Sequence, residues 1–380
     1  MLKAFKYALR PTAAQSILIN KHIGCARFVY NLALEVKQSA YAAKGINLSC
    51  FDLVKQLPEL KKECNWLAEV NSQSLQQPIR NLDNSFTRFF KGQSGFPNFK
   101  RKRNSGAFNI PQSISLQNAR LIIPKFKEGI DIVLHRPIKG EIRQATISRT
   151  PTGKYFASIL CDNGEERKKT KVVKEGNTIG IDLGIKTFIV ASNGEAFDNP
   201  KFLRKSIRKL KYTQRKFSKH KGGRTKIKLA KIHEKVANQR KDFLHKVSSQ
   251  LIKNHDSIAI ENLQVANMLK NHNIALSISD AGWGMFVDFL KYKASWYGVN
   301  ILEIGTFEPS SKTCSSCGAI NKELRLADRE WLCRCGAKHD RDVNAAINIK
   351  NFALKKHVSG METKNRGELP TLVGVLTREA

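Results

Sequence analysis

The chain has 380 residues and, with 66 Lys and Arg against 32 Asp and Glu, a formal net charge of +34. Such an excess predicts a polyanionic partner, and nucleic acid is the natural one, because each neutralised phosphate releases condensed counterions. A hydrophobic content of 41% argues for packed cores and against a disordered basic tail. No apolar run approaches the ~18 residues of a membrane span, and the opening MLKAFKYALRPTAAQ lacks the apolar centre and cleavage site of a secretory signal. A cytoplasmic chain of two or three folded units is therefore expected, with no membrane partner.

Residues 3–9 alternate as a short strand does, Arg10-Pro11-Thr12 breaks it, and Ile17, Leu18, Ile23, Cys25, Phe28, Val29, Leu32 and Leu34 then recur at helical spacing. A second helix is predicted from about Asn71 to Lys91, with Leu75, Ile79, Leu82, Phe86 and Phe90 as its apolar stripe and Pro78 as a kink or a true start. Gly92, Gly95 and Pro97 end it, and the basic run Lys100-Arg101-Lys102-Arg103 follows. From there to about Val173, short apolar runs at 108–110, 120–124, 130–135, 144–148 and 155–160, separated by turn residues, predict a small barrel or sandwich.

Thr178–Asp182 and Thr187–Ser192 read as strands. The character then changes: residues 201–250 hold 18 Lys and Arg against only Glu234 and Asp242. Leu203, Ile207 and Leu210 before the Gly222-Gly223 tip, and Ile232, Val236, Phe243 and Val247 after it, predict a helical hairpin with one apolar seam and basic outer faces. Strands are expected again at 257–261 and 299–304, with a helix from about Met285 to Tyr297 between them. A further helix is expected over Asn344–Leu354, and no sustained periodicity follows Lys356.

Two constellations carry chemistry. Asp182 and Glu261 each end an apolar strand, and Asp342 opens a helix. Singly, such acids are strand ends or caps. Gathered in the crevice at the strand ends of an open sheet, they would need a cation, and hard oxygen ligands suit Mg²⁺ or Mn²⁺. Cys314-x2-Cys317 and Cys333-x-Cys335 offer four thiolates, the ligand set of a closed, structural, tetrahedral Zn²⁺ site. Cys25, Cys50, Cys64 and Cys161 are scattered and read as ordinary thiols. Two surfaces could meet nucleic acid. Lys100, Arg101, Lys102 and Arg103 beside Phe96 and Phe99 mix cations with stacking rings, and Gln73, Gln77 and Arg80 share one helix face with groups suited to base edges.

TIGIDLGIKTFIVASNGE, SIAIENLQV and CSSCG…WLCRCGAKHDRDVNAAINI, in that order, resemble the three-part pattern of the RuvC-like nuclease in TnpB proteins, which are transposon-encoded, RNA-guided DNA endonucleases related to the type V CRISPR effectors. RPTAAQ…ARFVYNLAL and GFPNFKRK extend the likeness over residues 5–355. The resemblance implies a multidomain α+β chain. Residues 1–10 would be the first strand of a wedge-like β-barrel, 11–95 a helical recognition domain and 96–175 the rest of the barrel. An α/β ribonuclease-H-like (RuvC) domain would occupy 176–307, with the basic hairpin at 201–250, and would finish at 339–355 after a zinc ribbon at 308–338. A mobile tail would close the chain at 356–380. It further implies Asp182, Glu261 and Asp342 as catalytic ligands of Mg²⁺ and Gln73, Gln77 and Arg80 as candidate readers of a short motif beside the target. The implied partners are a guide RNA from the transposon end and target double-stranded DNA, with no small-molecule substrate and with nucleoid association when bound. A regulator that binds without cutting and a transposase acting without a guide RNA are the alternatives, separated by whether cleavage requires complementary RNA. Asp340 and Asp342 diverge by ~200° at a helix start, so only one should reach the metals; the resemblance favours Asp342, with Asp340 a solvent-exposed or capping residue.

Overall fold

A computed structural model describes residues 1–102, 105–306, 308–325 and 328–366. The chain divides into two compact units, the first ending at Glu166 and the second beginning at Arg167.

The first unit opens with β1 (Leu2–Arg10) and the 32-residue helix α1 (Ala13–Lys44). The predicted break is a capping box: Thr12 Oγ1 accepts from Gln15 N, and Gln15 Oε1 accepts from Thr12 N. Gly45, at φ +63°, closes the helix in the left-handed region. Next come α2 (Cys50–Lys55), α3 (Leu57–Glu63) and α4 (Ser72–Phe90). Pro78 lies inside α4, which starts nearly two turns earlier at its Asn71 cap. That start is pinned by a buried histidine: Asn71 N donates to His22 Nε2 at 3.1 Å, and the other ring nitrogen, Nδ1, lies 2.9 Å from Leu18 O. Burial holds the His22 pKa below its ordinary value, which keeps the ring neutral, as an acceptor at Nε2 must be.

Six more strands follow, β2 (Gly106–Ile110), β3 (Ser115–Gln117), β4 (Arg120–Ile123), β5 (Phe126–Val133), β6 (Glu141–Arg149) and β7 (Tyr155–Asp162). With β1 they form one sheet in the order β2-β6-β7-β1-β5-β4-β3, every pair antiparallel. This corrects the expected barrel. The end strands β2 and β3 do not pair, so the sheet is open. Alternation along each strand fixes which face is buried, whereas closure depends on strand stagger and tilt, which the pattern does not contain. Ile19 and Ala26 of α1 pack on this sheet with Phe108, Ile130 and Ile159, while Val29 and Leu34 pack with Leu75, Ile79 and Leu82 of α4. One helix thus serves two cores.

The second unit is built on a mixed sheet. β8 (Thr178–Leu183), β9 (Thr187–Ala191) and β10 (Ala196–Asp198) form an antiparallel meander. β11 (Ser257–Glu261) lies parallel to β8, and β12 (Asn300–Ile304) parallel to β11, giving the order β10-β9-β8-β11-β12. Between β10 and β11 runs the basic hairpin, α5 (Phe202–His220) and α6 (Gly223–Asn254). α7 (Val265–Met268), α8 (His272–Ala281) and α9 (Trp283–Tyr297) lead to β12. The small antiparallel ribbon β13 (Glu330–Leu332) and β14 (Lys338–Asp340) then runs directly into α10 (Arg341–Arg366). Periodicity alone ends that helix near Leu354, but the backbone stays helical to Arg366. It takes in the first residues of the expected tail, whose remainder, 367–380, lies outside the described residues.

Alternation divides the sheet's work between its faces. Ile179, Ile181, Ile258 and Ile260 pack on Leu244, Val247 and Leu251 of α6 and on Phe286 and Leu290 of α9. The other face carries Gly180 and Ala259, and α10 lies across it, with Ile349 and Ala353 packed on Ala259. A Cβ at Gly180 would stand 2.1 Å from Ala346 O, a backbone atom with no room to yield. Gly180→Ala is therefore expected to lower the unfolding free energy of this unit by about 2–3 kcal/mol, read as a shifted denaturant midpoint. An unchanged midpoint would contradict the close approach.

The hairpin is held at its root. α5 has no cap of its own, and the buried Asp280 of α8 supplies one, accepting Leu203 N at 2.8 Å and Arg204 N at 3.0 Å. Lys293 of α9, also buried, donates to His245 O at 2.9 Å and to Ser248 and Ser249 Oγ at 2.7 Å on α6. Burial pushes its ammonium down to about 8. No helix of the described residues is long and apolar enough to cross a membrane.

Candidate active site and metal centre

The β8–β11 ladder pairs Ile181 with Ile260, so the next residues, Asp182 and Glu261, stand level on adjacent parallel strands and on the same face as Gly180 and Ala259. α10 crosses that face and opens with Asp342 in its first turn. The carboxylates feel one another. Burial first, then the charges of Glu261 and Asp342, push the Asp182 carboxyl up to about 7, against the opposing pull of Arg341 and a backbone hydrogen bond at Leu183. Asp182 therefore lies within electrostatic reach of both other acids. The three acids, 160 residues apart in sequence from Asp182 to Asp342, thus lie on one face of the sheet or at the start of the helix that crosses it.

Two of them have side-chain support of their own. Ser310 Oγ donates to Glu261 Oε1 at 2.5 Å. Asp342 Oδ2 accepts from Arg329 Nη1 at 3.1 Å, and its Oδ1 from Arg341 Nη2 at 3.0 Å. Asp340 is a capping residue, because its Oδ1 accepts the backbone N–H groups of Asp342 and Val343, both at 2.9 Å, at the start of α10. We expect Asp340→Ala to cost about 1 kcal/mol of stability, as lost caps do, and to leave cleavage at least partly intact. A thermal melt and a cleavage time course on the same preparation measure both. Complete loss of cleavage would place Asp340, not only Asp342, in the site.

The four cysteines converge as well, their Sγ atoms all within 4.8 Å of one another, so together they could hold a metal ion. Cys314 and Cys335 are 3.8 Å apart and Cys317 and Cys333 3.6 Å. Although burial opposes it, hydrogen bonds at the Cys317 and Ser316 backbone and from His339 draw the Cys314 thiol down, while the neighbouring thiols push Cys317 up, so that one proton is held among closely spaced sulfurs. His339 Nε2 lies 3.1 Å from Cys314 Sγ, and its ring packs on Trp331 at 4.8 Å. Nothing in the spacing of the motif assigns His339 a role. Its position in β14, one step from the cap of α10, is what brings it to the cluster.

In the first unit the predicted contacts are only partly assembled. Gln77 lines a groove of about 300 Å³ with Lys100 and Arg101, joined by Arg27, Asn81 and Asn109. Gln73 and Arg80 lie on the same helix but outside that lining. Lys100 is partly engaged: its Nζ stands 3.7 Å over the Tyr30 ring, and its backbone is clasped by the Asn31 amide at 2.8 and 2.9 Å. Lys102 is exposed, and Arg103 lies outside the described residues. Sequence reasoning misses Arg27 and Asn109 because they come from α1 and β2, and nothing in their spacing connects them to α4.

Fold and sequence define a two-unit α+β protein with Asp182 and Glu261 level near the ends of two parallel strands and a four-thiol cluster further along the chain. Residues 158–272 match the family described as a probable transposase (OrfB_IS605), residues 283–349 the Cas12f1-like TNB domain, and residues 1–45 a helix-turn-helix domain. The chain is 37% identical over 369 residues to a putative RNA-guided DNA endonuclease of Streptomyces pristinaespiralis, covering 94% of this chain and 91% of that one. It is 31% identical to the putative RNA-guided DNA endonuclease InsQ of Escherichia coli K12, covering 92% and 91%. In structure it is similar to a chain of the cryo-EM Cas12f1-sgRNA-target DNA complex, with a TM-score of 0.55 at 16% identity, over 90% of this chain and 83% of that one. The chain belongs to the TnpB family.

Proposed function

We propose that this protein is an RNA-guided DNA endonuclease whose cutting site is the crevice formed by Asp182, Glu261 and Asp342. The observation that carries the reading is the ladder register that sets Asp182 level with Glu261 on adjacent parallel strands, on the face crossed by the helix that Asp342 helps to open, with the Asp182 carboxyl pushed up by burial and by the other two acids. Strand order β10-β9-β8-β11-β12, with the first three antiparallel and the last two parallel to β8, supports a ribonuclease-H-like, RuvC-type domain. The donor set is all carboxylate oxygen, which fits Mg²⁺ or Mn²⁺. When bound, such ions neutralise charge on the scissile phosphate and lower the pKa of an attacking water. The chain's own residues do the rest. Asp182 and Glu261 present their oxygens from a rigid ladder, Asp342 closes the set from the helix, and Ser310, Arg329 and Arg341 fix the rotamers of the last two.

The four thiolates fit structural Zn²⁺. Bonds of ~2.3 Å in a tetrahedron set sulfurs about 3.8 Å apart, and the observed pairs stand at 3.6 and 3.8 Å. Guide RNA has a suitable surface in α5, which carries no acidic residue and turns Lys205, Arg208, Lys209, Arg215, Lys216 and Lys219 to solvent around the exposed Tyr212. The groove of Gln77, Asn81 and Arg101 offers amides and a guanidinium suited to base edges, and is the proposed reader of the flanking motif. The test is cleavage of a plasmid library by the protein purified with its transposon-end RNA. Cutting should occur only where the target pairs with the guide beside one short motif. Cutting without RNA would favour a transposase instead, and binding without cutting a regulator.

A further inference from the structure

Glu261 is the last residue of β11, and its side chain reaches the crevice from the strand end. Among the described residues its carboxylate has one hydrogen-bond partner, the Ser310 hydroxyl at 2.5 Å, and Ser310 is only 4% exposed. A buried hydroxyl beside a carboxylate spends its single proton there, which leaves Oε2 of Glu261 available to a cation. Ser310 is itself fixed by its backbone: its N donates to Glu308 O at 2.8 Å, and its O accepts from Asn348 Nδ2 at 2.8 Å.

That second bond belongs to a clamp. Asn344 and Asn348, one turn apart on α10, are 1% and 3% exposed. Asn348 Nδ2 also donates to Thr313 O at 2.6 Å, and Asn344 Nδ2 donates to the same oxygen at 2.7 Å. Asn344 Oδ1 accepts from Ser315 N at 2.9 Å. Both lone pairs of Thr313 O are thus used, and the bonded residues flank Cys314. Buried amides are costly unless each polar atom is answered, and here the answers all fall on one loop. The helix that carries Asp342 in its first turn therefore grips the segment that holds both the serine on Glu261 and the first thiol of the metal cluster.

We propose that Ser310 is a positioning residue for Glu261, held in register by Asn344 and Asn348, so that residues 308–315 set the geometry of the carboxylate site from the thiol cluster. The proposal rests on the reading of Asp182, Glu261 and Asp342 as metal ligands. Supporting groups of this kind are worth about 10- to 100-fold in metal affinity or activity.

The experiment is a double-mutant cycle on the full chain, with Ser310→Ala, Glu261→Gln and the pair, each titrated with Mn²⁺ by calorimetry and assayed for cleavage at limiting Mg²⁺. Ser310→Ala keeps the backbone bonds to Asn348 and removes only the hydroxyl. It should weaken Mn²⁺ binding about tenfold or more and slow limiting-Mg²⁺ cleavage in proportion. In the Glu261→Gln background the same change should alter Mn²⁺ affinity less than about twofold, because the group it acts through has gone. Equal losses in both backgrounds would make Ser310 a merely structural residue, and no loss in the parent would remove its role altogether; either overturns the proposal. Wild-type Mn²⁺ binding and cleavage by Glu261→Gln would instead overturn the carboxylate site itself.

Discussion

Alanine at Asp182, Glu261 or Asp342 is expected to leave guide-directed target binding within about twofold of the parent and to slow cutting by about a thousandfold or more. Binding depends on base pairing and on phosphate contacts with the basic surfaces, neither of which uses the crevice. Cutting depends on charge neutralisation at one phosphate, and losing a ligand forfeits about 4 kcal/mol of transition-state stabilisation, which is the stated factor. Asp182→Ala should be the least disruptive to the fold, because it relieves the burial and the repulsion that drive that carboxyl up to about 7. Filter binding and single-turnover cleavage on the same complexes separate the two effects. A variant of any of the three that cuts at the parental rate would remove that residue from the site.

Cys333→Ser should cost the metal, the ribbon and the cutting together. Folding of a four-thiolate ribbon and binding of its metal are one event, worth about 10 kcal/mol or more at neutral pH, and the cluster here is small: Cys314, Leu324, Trp331 and Cys333 are its only buried apolar side chains among the described residues. So small a core could not hold β13 against β14 alone. Because Arg329 of this segment contacts Asp342, and Thr313 is tied to Asn344 and Asn348, loosening the ribbon should reach the carboxylates. Metal analysis should find less than about half an equivalent of zinc in the variant against about one in the parent. Limited proteolysis should open the segment between Gly305 and Lys338, while the core around Phe286 stays protected. A variant that binds no zinc yet cuts normally would show that the ribbon does not support the site.

What is legible in the sequence follows from locality. The level placement of Asp182 and Glu261 can be read because each closes a short apolar run that forms a strand. The hairpin can be read because its seam, its tip and its charge all lie within residues 201–250. Asp280 cannot: its carboxylate caps a helix that begins far earlier, at Phe202, and an acid in a helix interior looks like any solvated residue. Lys293 and His22 are hidden for the same reason, since burial is a property of the partner helix and not of the residue. Asn344 and Asn348 lie inside a motif whose order is recognisable, yet their bonds go to backbone atoms, and Ser310, just before that motif, meets an acid 49 residues earlier; neither leaves a trace in side-chain spacing. The open sheet of the first unit reads as closed because alternation reports faces and is silent on where the edges go.

The basic hairpin has one further property. It is secured at its root, by Asp280 and Lys293 near the sheet, while its tip is a turn at Lys221 and Gly222 with the backbone of Lys221 at φ +41°. The 19 residues of α5 place that tip about 28 Å along the helix from the root. Parallel strands β8 and β11 must be joined by a long crossover whatever its contents, so neither ladder is altered by what happens at the far end. Extra chain inserted there costs only loop closure, about 0.6 kcal/mol for each doubling in length. The tip is thus the natural port of this molecule, a place where a fluorescent reporter or a second enzymatic domain could be spliced in without disturbing the carboxylates below.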